Sequence, residues 1–291
     1  MFIRIYKELP MNTPPCKGPA VPGNIFSPGW TSNFSEIKDQ LKTGDIILVH
    51  GRYPFSWVVE FLQGSDYGHS AIVVRRSDLD PSNKFNLPAE LLLWESNIEI
   101  PGSTPNLWRP SVPPKVKDGP MLISLEERLL YSQCHYEDVY IAVRPLFINR
   151  ANIKFDNILP SFFDSLIDKK FPSESEIIHS VFLGRKYNRD SNNPLEAVSL
   201  NIADDIVNNK KIVLEDPSKN QLEAFTLKAD TKSKDKIYCS ELVAATYKEL
   251  GILTQNHVSN AYAPGDFSDK GTIRLLKSGW LGSEMFIDMR K

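Results

Sequence analysis

The sequence predicts an α+β fold with a central antiparallel sheet packed against one well-marked helix, and three observations carry that expectation. Short β-rich runs crowd residues 46–146, helical spacing takes over after Pro145, and a helix with a clear stop follows Tyr238. Strands and helices are thus segregated rather than alternating, which favours α+β over a βαβ arrangement.

Residues 1–34 read as an irregular lead-in, because the stretch PMNTPPCKGPAVPGNIFSPGWTS supplies turns and extended backbone rather than a periodic face. Arg4 and Lys7 interrupt the first apolar residues before Pro10, so no signal-peptide run is expected there. Ser35 to Leu41 reads as a helical turn, and Gly44-Asp45 ends it before the strand IILVH at 46–50. Phe55, Val58, Val59 and Leu62 follow i, i+3, i+4, i+7 spacing, the mark of a short amphipathic helix stopped by Gln63-Gly64. HSAIVV from His69, LLLWES at 91–96, MLISL at 121–125 and VYIAVRPL at 139–146 are expected strands.

PSFFDSLIDKKF (160–171) and SESEIIHSVFLGRKY (173–187) carry helical spacing, separated by Pro172. Residues 189–236 combine one short helical stretch, LEAVSLNIADDIV, with the polar runs NNKK and DTKSKDK, which reads as surface insertion. IYCSELVAATYKELGIL is a helix with Gly251 as its stop, and GTIRLLKSGW and EMFIDMR are expected terminal strands. The organisation is one domain over 35–291, with an insertion at about 147–236.

Composition excludes several function classes. The 34 Lys plus Arg and 36 Asp plus Glu balance to a formal charge of -2, which gives no long-range field for nucleic acid. Aromatics are not interleaved with a basic stripe, and neither G-x-x-x-x-G-K-[ST] nor G-x-G-x-x-G occurs, so nucleotide binding and any cofactor are not expected. No run approaches the roughly 20 apolar residues of a membrane span, although peripheral membrane contact stays open. His50, His135, His179 and His257 are scattered without i, i+4 ligand partners, so no metal site is expected. Three cysteines without C-x-x-C spacing argue against a disulfide framework and for a reducing, cytoplasmic compartment.

Chemistry concentrates on three residues. Cys239 stands where a helix begins, beside unsatisfied backbone N–H groups and the positive end of the helix dipole, a place that favours the thiolate. A free cysteine is also commonly a small buried hydrophobe, so the reading needs a base. His69 opens a strand just after Gly68 and supplies the imidazole; Glu95, embedded in the apolar strand LLLWES, supplies a carboxylate to orient it. Taken singly, each has a structural reading; the case rests on the three together.

The segments LKTGDIILV (41–49), SDYGHSAIVV (65–74), LLLWES (91–96), YCSELVAATYKELG (238–251) and APGDF (263–267), in this order, resemble the circularly permuted NlpC-type papain-like cysteine proteins, a superfamily of peptidases and amidases that is related to lecithin retinol acyltransferase-like proteins. The resemblance implies a permuted papain-like domain in which Cys239 is the nucleophile, His69 the general base and acid, and Glu95 the residue that holds the Nδ1 side of the imidazole. It also brings forward Tyr238, Ser240 and Tyr187 (within FLGRKYN) as substrate-facing candidates, with Tyr238 equally readable as a packing aromatic.

The resulting expectation is a thiol hydrolase or acyltransferase that opens an amide or ester bond through an acyl-enzyme, on a peptide, amide or acyl-lipid substrate. FSWVVEFL beside His69 would suit an apolar wall, but ordinary helix packing explains it as well. The rival class is a non-catalytic ligand- or lipid-binding or structural protein that retains the papain-like cleft. Hydrolase or transferase, the substrate, the acceptor and the oligomeric state are not written in the sequence.

Overall fold

The computed structural model describes residues 31–51, 60, 65–98, 106–108, 118–135, 139–173, 176–177, 211–216, 221–226, 235–271 and 273–289. Its strands are β1 (Thr31–Asn33), β2 (Ile46–His50), β3 (His69–Arg75), β4 (Leu91–Asn97), β5 (Gly119–Ser124), β6 (Tyr140–Arg144), β7 (Leu146–Phe147), β8 (Lys211–Asp216), β9 (Gln221–Thr226), β10 (Trp280–Leu281) and β11 (Met285–Asp288). Its α-helices are α1 (Phe34–Ile37), α2 (Arg76–Leu79), α3 (Leu125–His135), α4 (Phe155–Leu166) and α5 (Cys239–Glu249).

The fold is mixed α and β. A seven-stranded sheet runs in the order β1-β11-β6-β2-β3-β4-β5, with every neighbouring pair antiparallel except β1 with β11. Its inner strands are apolar on both faces, as a sheet covered on both sides requires. On one face Ile72, Val74, Leu92 and Trp94 join Leu242, Val243 and Tyr247 of α5 and Leu159 and Phe163 of α4. On the other, Ala71, Val73 and Leu93 join Leu125 and Leu129 of α3 and Phe34 and Ile37 of α1. Burial of each such aliphatic side chain stabilises by about 1.5 to 3 kcal/mol before conformational entropy is counted. Trp94 stacks on Phe163 at 4.0 Å between centroids and fixes α4 against the sheet.

The five expected strands between residues 46 and 146 are present within a residue or two, because each is a short β-branched or aromatic run bounded by turn residues. Several elements differ: β1 and α2 were not expected, and β8 and β9 pair as antiparallel strands where residues 189–236 were expected as surface insertion. Helix α3 was not expected: LEERLLYSQCH has only a weak apolar stripe, Leu125 and Leu129, and its other sheet-facing positions are polar. Of GTIRLLKSGW only Trp280 enters a strand, paired with Phe147, while Lys277 and Ser278 take left-handed turn geometry. Helix α4 starts at Phe155 and carries Pro160 inside it, rather than beginning there. Leu159, Phe163 and Ile167 are fully buried, so this part of the expected insertion belongs to the core. The segments expected as helices over 55–62, 173–187 and 195–207 lie wholly or mostly outside the described residues.

Two buried polar networks hold the frame. Asp45 of the GDI segment accepts from the backbone N–H of Lys42 (2.8 Å) and Leu146 (2.9 Å) and from Arg150 (3.0 Å). Arg144 donates to the carbonyls of Gly282 (2.8 Å) and Phe267 (2.9 Å), which ties β6 to the APGDF turn. Among the described residues no helix is long and apolar enough to cross a membrane.

Candidate active site

Cys239 is the first residue of α5, preceded by Tyr238 in extended conformation with no side-chain cap. The backbone N–H groups of that first turn therefore lack a capping side chain. The residue is 7% exposed and packs with Ile177, Tyr238, Ala263 and Phe171. Ala263 belongs to the APGDF segment, so two motifs far apart along the chain meet at the sulfur.

His69 begins β3 on the face shared with Ala71 and Val73, and Glu95 lies on the same face of β4, in line with Leu93. Helix α5 covers the opposite face. Contact is made at the end of the sheet: the β3–β4 ladder runs from Arg75↔Leu91 only to Ile72↔Trp94. Beyond it, the His69 ring and the backbone N–H groups of Ser70 and Ser240 are near enough to the Cys239 thiol to lower its pKa. The Ser96 hydroxyl donates to the Ile237 carbonyl at 2.7 Å and sets the approach of the chain to Cys239.

His69 Nε2 lies 2.7 Å from Glu95 Oε2. This corrects the expectation that Glu95 holds the Nδ1 side. With Nε2 on the carboxylate, Nδ1 is the ring nitrogen left for the thiol. The three expected residues are thus brought into one chain, Cys239–His69–Glu95.

The charges follow from the contacts. Burial opposes an ionised thiol, but the hydrogen bond and positive charge of His69, with the Ser70 and Ser240 N–H groups, lower Cys239 below its ordinary range. Burial likewise opposes imidazolium, yet the bonds to Cys239 and Glu95 and their negative charge raise His69 to about 9. Burial would lift the Glu95 carboxyl; the Arg128 guanidinium first and His69 second hold it at about 2. Each shift runs towards the charged form of its group: thiolate, imidazolium and carboxylate.

Arg128 escaped the sequence reading. Its Nε donates to Glu95 Oε1 at 2.7 Å, with Arg128 5% and Glu95 1% exposed. The available signal was a cation between Leu125 and Leu129, on the buried side of α3, where an apolar residue belongs.

The substrate-facing candidates fare differently. Tyr238 is buried and its hydroxyl donates to the Asn260 carbonyl at 2.5 Å, and Ser240 donates to the Tyr262 carbonyl at 2.9 Å. Both hydroxyls tie α5 to the 260–262 loop, and for Tyr238 this is the packing placement that the sequence also allowed. Tyr187 lies outside the described residues, as does Cys16. Cys239 is a free thiol. His50 sits apart from the site, 3.1 Å from Glu60 and stacked on Tyr140. Among the described residues no group of three or more His, Cys, Asp and Glu side chains is placed to hold a metal.

Comparison of the chain with known protein families and with curated proteins finds no match.

Proposed function

We propose that this protein is a thiol hydrolase or acyltransferase whose nucleophile is Cys239, with a permuted papain-like arrangement of its site. The observation that carries the reading is the buried chain Cys239–His69–Glu95, with the thiol at the start of α5 and the imidazole held at 2.7 Å by a carboxylate. The order His, Glu, Cys along the chain supports it, since it resembles that of the permuted NlpC-type proteins. A structural cysteine has no need of an imidazole, a carboxylate and two backbone N–H groups converging on it.

In the proposed reaction the Cys239 thiolate attacks the carbonyl carbon of an amide or ester, a C–S bond forms, and the carbonyl π pair moves to oxygen. As the tetrahedral centre collapses, the C–N or C–O bond breaks and His69 Nδ1 gives its proton to the leaving nitrogen or oxygen. Water or another acceptor then adds to the thioester carbonyl, His69 takes its proton, and the thiolate leaves. Glu95 keeps Nε2 in place and its charge offsets the imidazolium. The apolar neighbours Ile177, Phe171 and Ala263 suit an acyl or apolar peptide group next to the sulfur.

The test is a pH series of iodoacetamide labelling read by peptide mass spectrometry, on wild type and His69→Ala, with the urea-unfolded chain as the reference for an unperturbed thiol. Labelling of folded Cys239 at pH 6 faster than in urea, lost in His69→Ala, supports the enzyme. Labelling in the folded protein no faster than in urea sinks it and turns the search to binding partners.

A further inference from the structure

We propose that Arg128 is a positioning residue of this site: its guanidinium holds Glu95 ionised and oriented, and thereby lets a thiolate and an imidazolium coexist at Cys239 and His69. The inference rests on the thiol-enzyme reading above and extends it to a residue on an element, α3, that contributes nothing else to the chemistry.

The geometry divides the carboxylate between two cations. Glu95 Oε1 accepts from Arg128 Nε and Oε2 faces His69 Nε2, each at 2.7 Å. Rotating the carboxylate away from the imidazole therefore also breaks the bond to Arg128, so helix α3 stiffens the His69 ring through Glu95. Arg128 Nε projects from a helix packed on the sheet through Leu125 and Leu129, which gives the clamp a rigid base.

Charge counting gives the second argument. A thiolate, an imidazolium and a carboxylate sum to one negative charge, in a place where Glu95 is 1% and His69 13% exposed. Burying a net charge is costly, and the cluster would shed it by keeping the Cys239 proton. Arg128 brings the sum to zero. The charged groups that face the cluster are His69 from β3, Glu95 from β4, Arg128 from α3 and Cys239 itself from α5. For packing alone an apolar side chain would serve at Arg128 without the desolvation cost of a guanidinium.

The measurement is the pH midpoint of Cys239 alkylation, a property of the coupled cluster, in wild type, Arg128→Met, Arg128→Lys, Glu95→Gln and the double variant Arg128→Met/Glu95→Gln. Loss of Arg128 should raise the midpoint by about one pH unit, which slows labelling at pH 6 roughly tenfold. Arg128→Lys should recover most of that loss. In the Glu95→Gln background, Arg128→Met should shift the midpoint far less, because the cation acts through the carboxylate. An unchanged midpoint in Arg128→Met, or the same shift with Glu95 already replaced, would overturn the proposal. Should Arg128→Met not fold, the wild type answers alone: the Arg128 Nε–H proton resonance must move with the alkylation midpoint, and one indifferent to it overturns the proposal. Failure of the parent reading looks different, as slow, His69-independent labelling of the wild type itself.

Discussion

The Ser96 hydroxyl, at the end of β4, donates to the Ile237 carbonyl two residues before Cys239, at 2.7 Å and fully buried from solvent on the serine side. Since Glu95 precedes Ser96, one hydrogen bond ties the strand that carries the carboxylate to the segment that delivers the thiol.

Ser96→Ala removes that tie and leaves the Ile237 carbonyl without its donor. The expected cost is about 1 to 2 kcal/mol in urea unfolding. Cys239 should also label more slowly at pH 6 while remaining His69-dependent. Labelling identical to wild type would show that the approach to Cys239 is held elsewhere.

The pH dependence of turnover follows from His69. Its raised value, about 9, means the imidazolium is present at neutral pH and is lost as the pH climbs through that value. Because the leaving group takes its proton from His69, acylation should decline above about pH 9. Alkylation of Cys239, which needs only the thiolate, should not decline there. Parallel pH profiles of turnover and alkylation through pH 10 would separate the two, and a shared decline would count against His69 as the acid.

Stability should depend on Glu95 with the opposite sign. Its folded value is depressed to about 2, so its contribution is full above the ordinary carboxyl value of 4.5 and disappears as the pH falls from 4.5 towards 2. The destabilisation caused by Glu95→Gln should therefore be constant between pH 5.5 and 7 and shrink below pH 4.5. A cost that stays constant down to pH 3 in urea titrations would mean Glu95 is not ionised through its contacts.

Tyr247 offers a control away from the chemistry. Its hydroxyl donates to the Gly44 carbonyl at 2.6 Å, and the ring is fully buried beneath α5. Tyr247→Phe should cost about 1 to 2 kcal/mol of stability and leave the Cys239 alkylation midpoint where it is. A moved midpoint would show that the site responds to general loosening rather than to its own charges.

Gly119 sits at φ +133, and a Cβ there would collide with the Lys169 carbonyl oxygen. Lys170 in turn bonds Asp235 (2.8 Å) and Ile237 (2.9 Å), the run into Cys239. Gly119→Ala should cost about 1 to 3 kcal/mol from backbone strain alone and disturb labelling as well. Differential scanning fluorimetry with labelling at pH 6 measures both.

Much of this site was legible along the chain. Short apolar strands between turn residues mark β2 to β6 wherever they are placed, because both faces of an inner sheet must be apolar. A carboxylate inside LLLWES and a cysteine at a helix start stood out because each breaks the local pattern, while His69 did so only in combination with them. Arg128 broke its pattern too, but helix α3 has so weak an apolar stripe that no pattern was visible to break.

By itself, then, the sequence determined the inner strands β2 to β6 and the helix that bears the thiol, because local periodicity and capping encode them, and it marked Cys239, His69 and Glu95 as candidates. Only the tertiary structure decided which ring nitrogen meets Glu95, that Arg128 stands behind it, and that Tyr238 and Ser240 bind backbone carbonyls instead of facing outward. Those outcomes depend on side-chain directions from four elements meeting at the end of one sheet, and no local pattern records where separate elements converge.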